Sequence, residues 1–193
     1  MPNRRQRSVR PPAARRRRRT NVTARMAQGT LRTTGEEVIA LKSAANAALT
    51  LVKIQPGASG MALLDNFANH FDRFRIEALT VTYHPSVGSA QDGLVAIGVD
   101  FDPRDQATNL NQVLAMSPKV VGPVWQRKSM TIPRGQLMSR RLLYTYRASE
   151  ANRPAEDSSA MIISVADNLG KAVSFGYLVI KYSAYFEGPY LGN

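Results

Sequence analysis

The stretch "RFRIEALTVTYHP", Arg73–Pro85, carries Phe74, Ile76, Leu79, Val81 and Tyr83 at close to every second position. Period-two spacing puts these side chains on one face of an extended strand, whereas a helix needs spacings of three and four. β-Branched and aromatic residues suit a pleated, half-buried surface. A strand with one apolar face must bury it against another layer, so this segment demands partners.

Those partners lie on both sides in the chain. Before it come "EEVIALKS" (Glu36–Ser43) and "NAALTLVKIQP" (Asn46–Pro56). After it come "GLVAIGVDFDP" (Gly93–Pro103), "VVGPVWQRKSMTIP" (Val120–Pro133, broken by Gly122-Pro123), "SRRLLYTYRA" (Ser139–Ala148), "SAMIISVAD" (Ser159–Asp167) and "AVSFGYLVIKYSAYFEG" (Ala172–Gly188). All are short, rich in Val, Ile, Tyr and Phe, and separated by Gly, Pro, Asn and Asp, which end strands and form turns. Two stretches read as helix instead. Gly60–Phe71 has Met61, Leu64, Phe67, Ala68 and Phe71 at three- and four-residue spacing, and Asp105–Met116 opens on an acid and carries Leu110, Val113 and Leu114. Helices do not alternate with strands, which argues against a parallel α/β fold. Eight short strands with one or two short helices predict an all-β fold, an eight-stranded antiparallel jelly-roll sandwich.

Charge divides the chain. Residues 1–35 hold Arg4, Arg5, Arg7, Arg10, Arg15, Arg16, Arg17, Arg18, Arg19, Arg25 and Arg32 and no acid. The rest holds 15 Lys and Arg against 14 Asp and Glu, so nearly all of the net +12 sits in the first segment. High like charge, low hydrophobicity and Pro2, Pro11 and Pro12 predict a disordered arm over 1–35 and a folded domain over 36–193. Every positive charge in the arm is arginine, whose planar fork matches phosphate oxygens. The arm is therefore expected to bind nucleic acid without base readout, through phosphate neutralisation and counterion release. A nuclear-localisation signal is compatible with the same run.

Several functions are poorly supported. The chain has no cysteine, which excludes disulfides and thiolate metal sites, and no apolar run long enough for a membrane helix. Its two histidines, His70 and His84, belong to no metalloprotease, phosphate-loop or serine-hydrolase motif, so it is expected not to be an enzyme. Trp125, the single tryptophan, is expected to pack in the core or at an interface. Asp100, Asp102 and Asp105 cluster on one turn. Such carboxylates suit a hard cation like calcium; alternatively Asp105 caps a helix, Asp102 sits in a turn before Pro103, and Arg104 neutralises the pair locally.

From Leu64 to Asp105 an apolar helix pattern leads into "FDRF" (Phe71–Phe74), then "YHPS" (Tyr83–Ser86), a Gly/Ser turn (Gly88–Gly93) and "DFDPRD" (Asp100–Asp105). This order resembles the shell domain of coat proteins from small icosahedral positive-strand RNA plant viruses, of the sobemovirus and tombusvirus groups. With little sequence after the last apolar segment, the plan is nearer the single-shell sobemovirus type. The resemblance implies a capsid subunit that assembles with many copies of itself into an icosahedral shell and packages single-stranded viral RNA. It implies a virion location, preceded by the host cytoplasm and compatible with passage through the nucleus, and no membrane partner. It also implies calcium between subunits, held by Asp102 and Asp105 of one chain and by Asn193 with its terminal carboxylate from the next. The rival reading is a non-viral nucleic-acid-binding protein with a basic tail. Against it, the folded part is close to neutral.

Overall fold

The computed structural model describes residues 25–27, 29–41, 47–102, 107–139, 142–146, 157–167, 169–170 and 174–189. Its elements are β1 (Arg25–Ala27), β2 (Thr30–Ala40), β3 (Ala47–Lys53), α1 (Ala62–Phe67), β4 (Phe71–Pro85), β5 (Leu94–Asp100), α2 (Leu110–Ala115), β6 (Lys119–Pro123), β7 (Lys128–Ile132), α3 (Arg134–Leu137), β8 (Leu143–Tyr144), β9 (Met161–Asp167) and β10 (Gly176–Pro189). One sheet runs β1-β2-β10-β4-β7, with β8 also on β4; the other runs β3-β9-β5-β6, and every pairing is antiparallel. Without the short β1 and β8, these are the two four-stranded sheets of a jelly roll, as expected.

The core lies between the sheets. Phe74, Ile76, Leu79, Val81 and Tyr83 of β4 share one buried cluster with Val95, Ile97 and Val99 of β5, Ile162 of β9, and Leu178, Ile180 and Phe186 of β10. The spacing in β4 breaks once, from Ile76 to Leu79. At that point the register against β10 jumps, with Ser183 opposite Ala78 and Ala184 opposite Ile76. Glu77 is the extra residue of a bulge, which restores the inward direction of Leu79 after the break.

The four-stranded sheet is covered on its second face too. Ala96, Met161, Ile163 and Val165 pack there with Val113 of α2, and Leu110, Leu114 and Met116 adjoin them. Burial on both faces explains why β5 and β9 are almost continuously apolar. Gly98 makes the close approach of α2 feasible, since a Cβ there would lie 2.7 Å from the Met116 sulfur.

Two polar knots, one buried and one half-buried, fix the layers. The Tyr83 hydroxyl, buried in the core, lies within donating reach of both the Val124 and Phe175 carbonyls. Burial pushes this phenol above its ordinary pKa, so it stays a donor. Glu37 accepts from the backbone N–H of Leu63 (2.8 Å) and Leu64 (3.0 Å) and from the Tyr182 hydroxyl (3.0 Å), tying β2 to α1 and β10. Burial, and then the Glu37 carboxylate, raise the Tyr182 phenol as well.

The structure corrects several boundaries. The sheet begins at Arg25 and β2 at Thr30, so the folded body starts before Glu36. Thr30–Gly35 is charge-poor apart from Arg32, and its Leu31 and Thr33 are buried where β2 pairs with β10. The segment Val120–Pro133 is two strands, β6 and β7, in different sheets, because the turn through Val124–Arg127 carries the chain across the sandwich. The helix expected over Gly60–Phe71 is only Ala62–Phe67, and Phe71 opens β4. The second helix starts at Leu110 rather than Asp105. Its cap is Asn109, whose side chain accepts from the Gln112 N–H at 3.0 Å; Asp105 lies outside the described residues. Trp125 is 41% exposed on the β6–β7 turn, outside the core cluster.

Candidate nucleic-acid and assembly interface

The arm arginines Arg4 through Arg19 lie outside the described residues. Arg25 is the first residue of β1, and there the chain joins the edge of the six-stranded sheet: Arg25 pairs with Arg32 of β2. Asp105 and Asn193, two of the three expected cation ligands, also lie outside the described residues. Asp102 lies just beyond the end of β5, exposed, and its backbone N–H donates to Asp100 Oδ1 at 2.8 Å. That bond makes an Asx-type turn with Asp100 as its acceptor residue. Among the described residues no group of three His, Cys, Asp or Glu side chains gathers closely enough to hold a metal.

The outer face of the six-stranded sheet changes its chemistry along the strands. Near β1 it is arginine and tyrosine. The guanidinium carbons of Arg32 and Arg75 lie 5.6 and 5.3 Å from the centre of the Tyr185 ring, and that of Arg73 lies 5.4 Å from the centre of the Tyr144 ring. Glu77, set outward by the bulge, pairs with Arg32 (3.2 Å) and Arg75 (3.3 Å), while Glu187 sits 3.8 Å from Arg73. The middle is a hydroxyl ladder, Thr80 with Thr131 and Thr82 with Ser129. In those same rows, towards β2, Lys181 pairs with Glu36 and Val38 is exposed; at the far end His84 stacks on Tyr177. Burial, then the positive charge of Arg127, lowers the His84 pKa.

The two histidines are separated by nearly the whole of β4: His70 precedes it and His84 is its penultimate residue. At about 3.3 Å per residue they stand roughly 45 Å apart and cannot act on one small substrate. No helix among the described residues is long and apolar enough to cross a membrane.

Arg73, Arg75, Tyr144 and Tyr185 do not stand out as ligand-facing groups in the sequence, and Arg32 is legible only as one of the positive charges of the first 35 residues. The one local signal is Arg73 and Arg75 alternating with Phe74 and Ile76, which puts both arginines on the face opposite the core.

A two-sheet jelly roll preceded by an arginine-rich segment is an architecture found in viral coat proteins. Comparison with known proteins agrees. The family model described as viral coat protein (S domain) matches residues 1–191, and the chain belongs to that family. It is thus a structural capsid protein and a component of the virion. The fold is similar to a solved structure of tobacco necrosis virus, at 15% identity and TM-score 0.74, with 90% of this chain and 89% of that one covered. A structure of melon necrotic spot virus is similar at 19% identity and TM-score 0.77, over 97% of this chain and 61% of that one. A structure of mud crab tombus-like virus matches at 17% identity and TM-score 0.69, over 100% of this chain and 96% of that one. Comparison with curated protein sequences finds no match.

Proposed function

We propose that this protein closes with identical copies into an icosahedral shell and packages single-stranded viral RNA through the arginines of its N-terminal segment. The observation that supports this most directly is the junction at Arg25. Nine arginines, from Arg4 to Arg19, precede a strand on the edge of a jelly roll whose remaining sequence is nearly charge-neutral. A neutral body avoids strong mutual repulsion among packed copies, while the leader concentrates positive charge on the packaged polyanion. Closure of one chain on itself needs only complementary patches repeated by symmetry. Particles purified from cells expressing the full chain are expected to carry nuclease-protected RNA. Particles with none would overturn the packaging role.

Calcium fits the same reading. Asp102 and Asp105 would supply hard carboxylate oxygens from one subunit, and Asn193 of a neighbour would supply another oxygen. When bound, the ion neutralises carboxylates that otherwise repel one another where subunits meet. Chelation at neutral pH should therefore swell the particles, and the variant Asp102→Asn should blunt that response. Dynamic light scattering checks this, and a radius indifferent to chelator and to pH would contradict it.

A further inference from the structure

The register of the six-stranded sheet aligns a row that sequence separation hides. Arg25 of β1 sits opposite Arg32 of β2, Arg32 opposite Tyr185 of β10, and Tyr185 opposite Arg75 of β4. Four neighbouring strands at about 4.8 Å spacing make this row roughly 14 Å long. The adjacent row continues it, with Glu187 opposite Arg73 and Arg73 opposite Tyr144 of β8. Arg73, Arg75, Leu142 and Tyr144 line an open depression of about 420 Å³ at its end. The row begins where the arm joins the fold.

We propose that this row is a second contact surface for single-stranded RNA, on the folded body itself, which receives the strand where the arm delivers it. The inference rests on the RNA-packaging reading above and adds the site on the body to it. Single-stranded nucleic acid is bound without sequence preference by a cationic track interleaved with aromatic rings: guanidinium groups meet phosphates and rings stack on bases. That is the composition here. Arg32 and Arg73 are substantially exposed and Tyr144 is exposed at the depression's rim.

The carboxylates do not cancel the track. Glu77 is shared by two arginines, and Glu187 stands at 3.8 Å from Arg73 while accepting from the Tyr185 hydroxyl at 3.2 Å. Three guanidinium groups thus face two carboxylates, in partly exposed pairs of the kind worth little in water. These pairs hold the arginines and the Tyr185 ring in a fixed array. Among the described residues the Arg75 Nε–H has no hydrogen-bond partner, although it is shielded from solvent. Exchange of a weak carboxylate contact for a charge-assisted bidentate phosphate contact follows from arginine's fork geometry.

The test uses full-length particles. RNA is photo-crosslinked in place and crosslinked peptides are mapped by mass spectrometry. Crosslinks are expected on arm peptides and on peptides holding Tyr144 and Tyr185. Crosslinks on the arm alone would overturn this surface and leave arm packaging intact; no crosslink on any peptide would overturn both. The second measurement is binding of the full chain to a short single-stranded RNA at several salt concentrations. The double variant Arg73→Gln/Arg75→Gln leaves two phosphates without a cation. At about 0.7 for each such phosphate, the slope of log affinity against log salt should become shallower by about 1.4. At low salt its affinity should fall several-fold. An unchanged slope in a variant with native circular dichroism would overturn the proposal.

Discussion

Particles made from a chain lacking residues 2–24 should contain almost no RNA, while the jelly roll remains folded. The deletion removes nine arginines and stops short of β1, which begins at Arg25. At about 0.7 per contact in single strands, nine phosphate contacts correspond to a salt slope near −6. Their removal should cost several orders of magnitude in affinity at moderate salt, far more than the row on the sheet can restore. The folded core is untouched, because every buried apolar residue lies at Leu31 or later among the described residues. A longer deletion through Gly35 should behave differently. It removes Thr30–Gly35 from β2 and takes buried Leu31 and Thr33 with it, so soluble protein should fall along with RNA. The absorbance ratio of purified particles and their thermal melt distinguish the two deletions. Normal RNA content after the shorter one would contradict the arm's role.

Phe186→Ala should remove a large fraction of the protein's stability margin. The Phe186 ring is fully buried in β10 and packs against Phe67 of α1 (centroids 5.0 Å apart) and Phe71 of β4 (5.6 Å). It thereby joins the helix to the middle of the six-stranded sheet. Truncating a buried Phe to Ala costs about 3–5 kcal/mol, through the forfeited transfer energy and the cavity left behind. Against a total of about 5–15 kcal/mol, that is enough to depress the yield of folded subunit and of particles together. Phe186→Leu, which refills most of the volume, should cost much less. Chemical denaturation of dissociated subunits measures both. A destabilisation below about 1 kcal/mol for the alanine variant, far under the range for a buried ring, would show that Phe186 is not a core anchor.

The legible and illegible parts of the chain divide on physical grounds. In β4, alternation exposes the strand, and its one break, Ile76 to Leu79, marks the bulge at Glu77. Buried strands β5 and β9 are legible as short apolar runs. The crossing between β6 and β7 is not, because Gly122-Pro123 announces a turn without telling which sheet each side joins. In the apolar pattern around β8, Leu143 packs on the core and Tyr144 is exposed, and among the described residues only these two of that segment pair with β4. The cap at Asn109 is hidden because an acid four residues earlier offers the same chemistry. Beyond the outward alternation of Arg73 and Arg75, the arginine–tyrosine row cannot be read from local pattern. Arg32, Arg75 and Tyr185 are distant in the chain, and only the strand register makes them neighbours. The charge asymmetry of the arm needs no fold to be seen, since charge is a property of composition and position alone.

The most direct test of self-assembly around RNA is electron microscopy of the full chain after expression and gradient sedimentation, with the 260/280 nm absorbance ratio of the heaviest fraction. Uniform closed spherical particles with nucleic-acid absorbance are the predicted result. A monodisperse small species that binds RNA but never closes into a shell would contradict it.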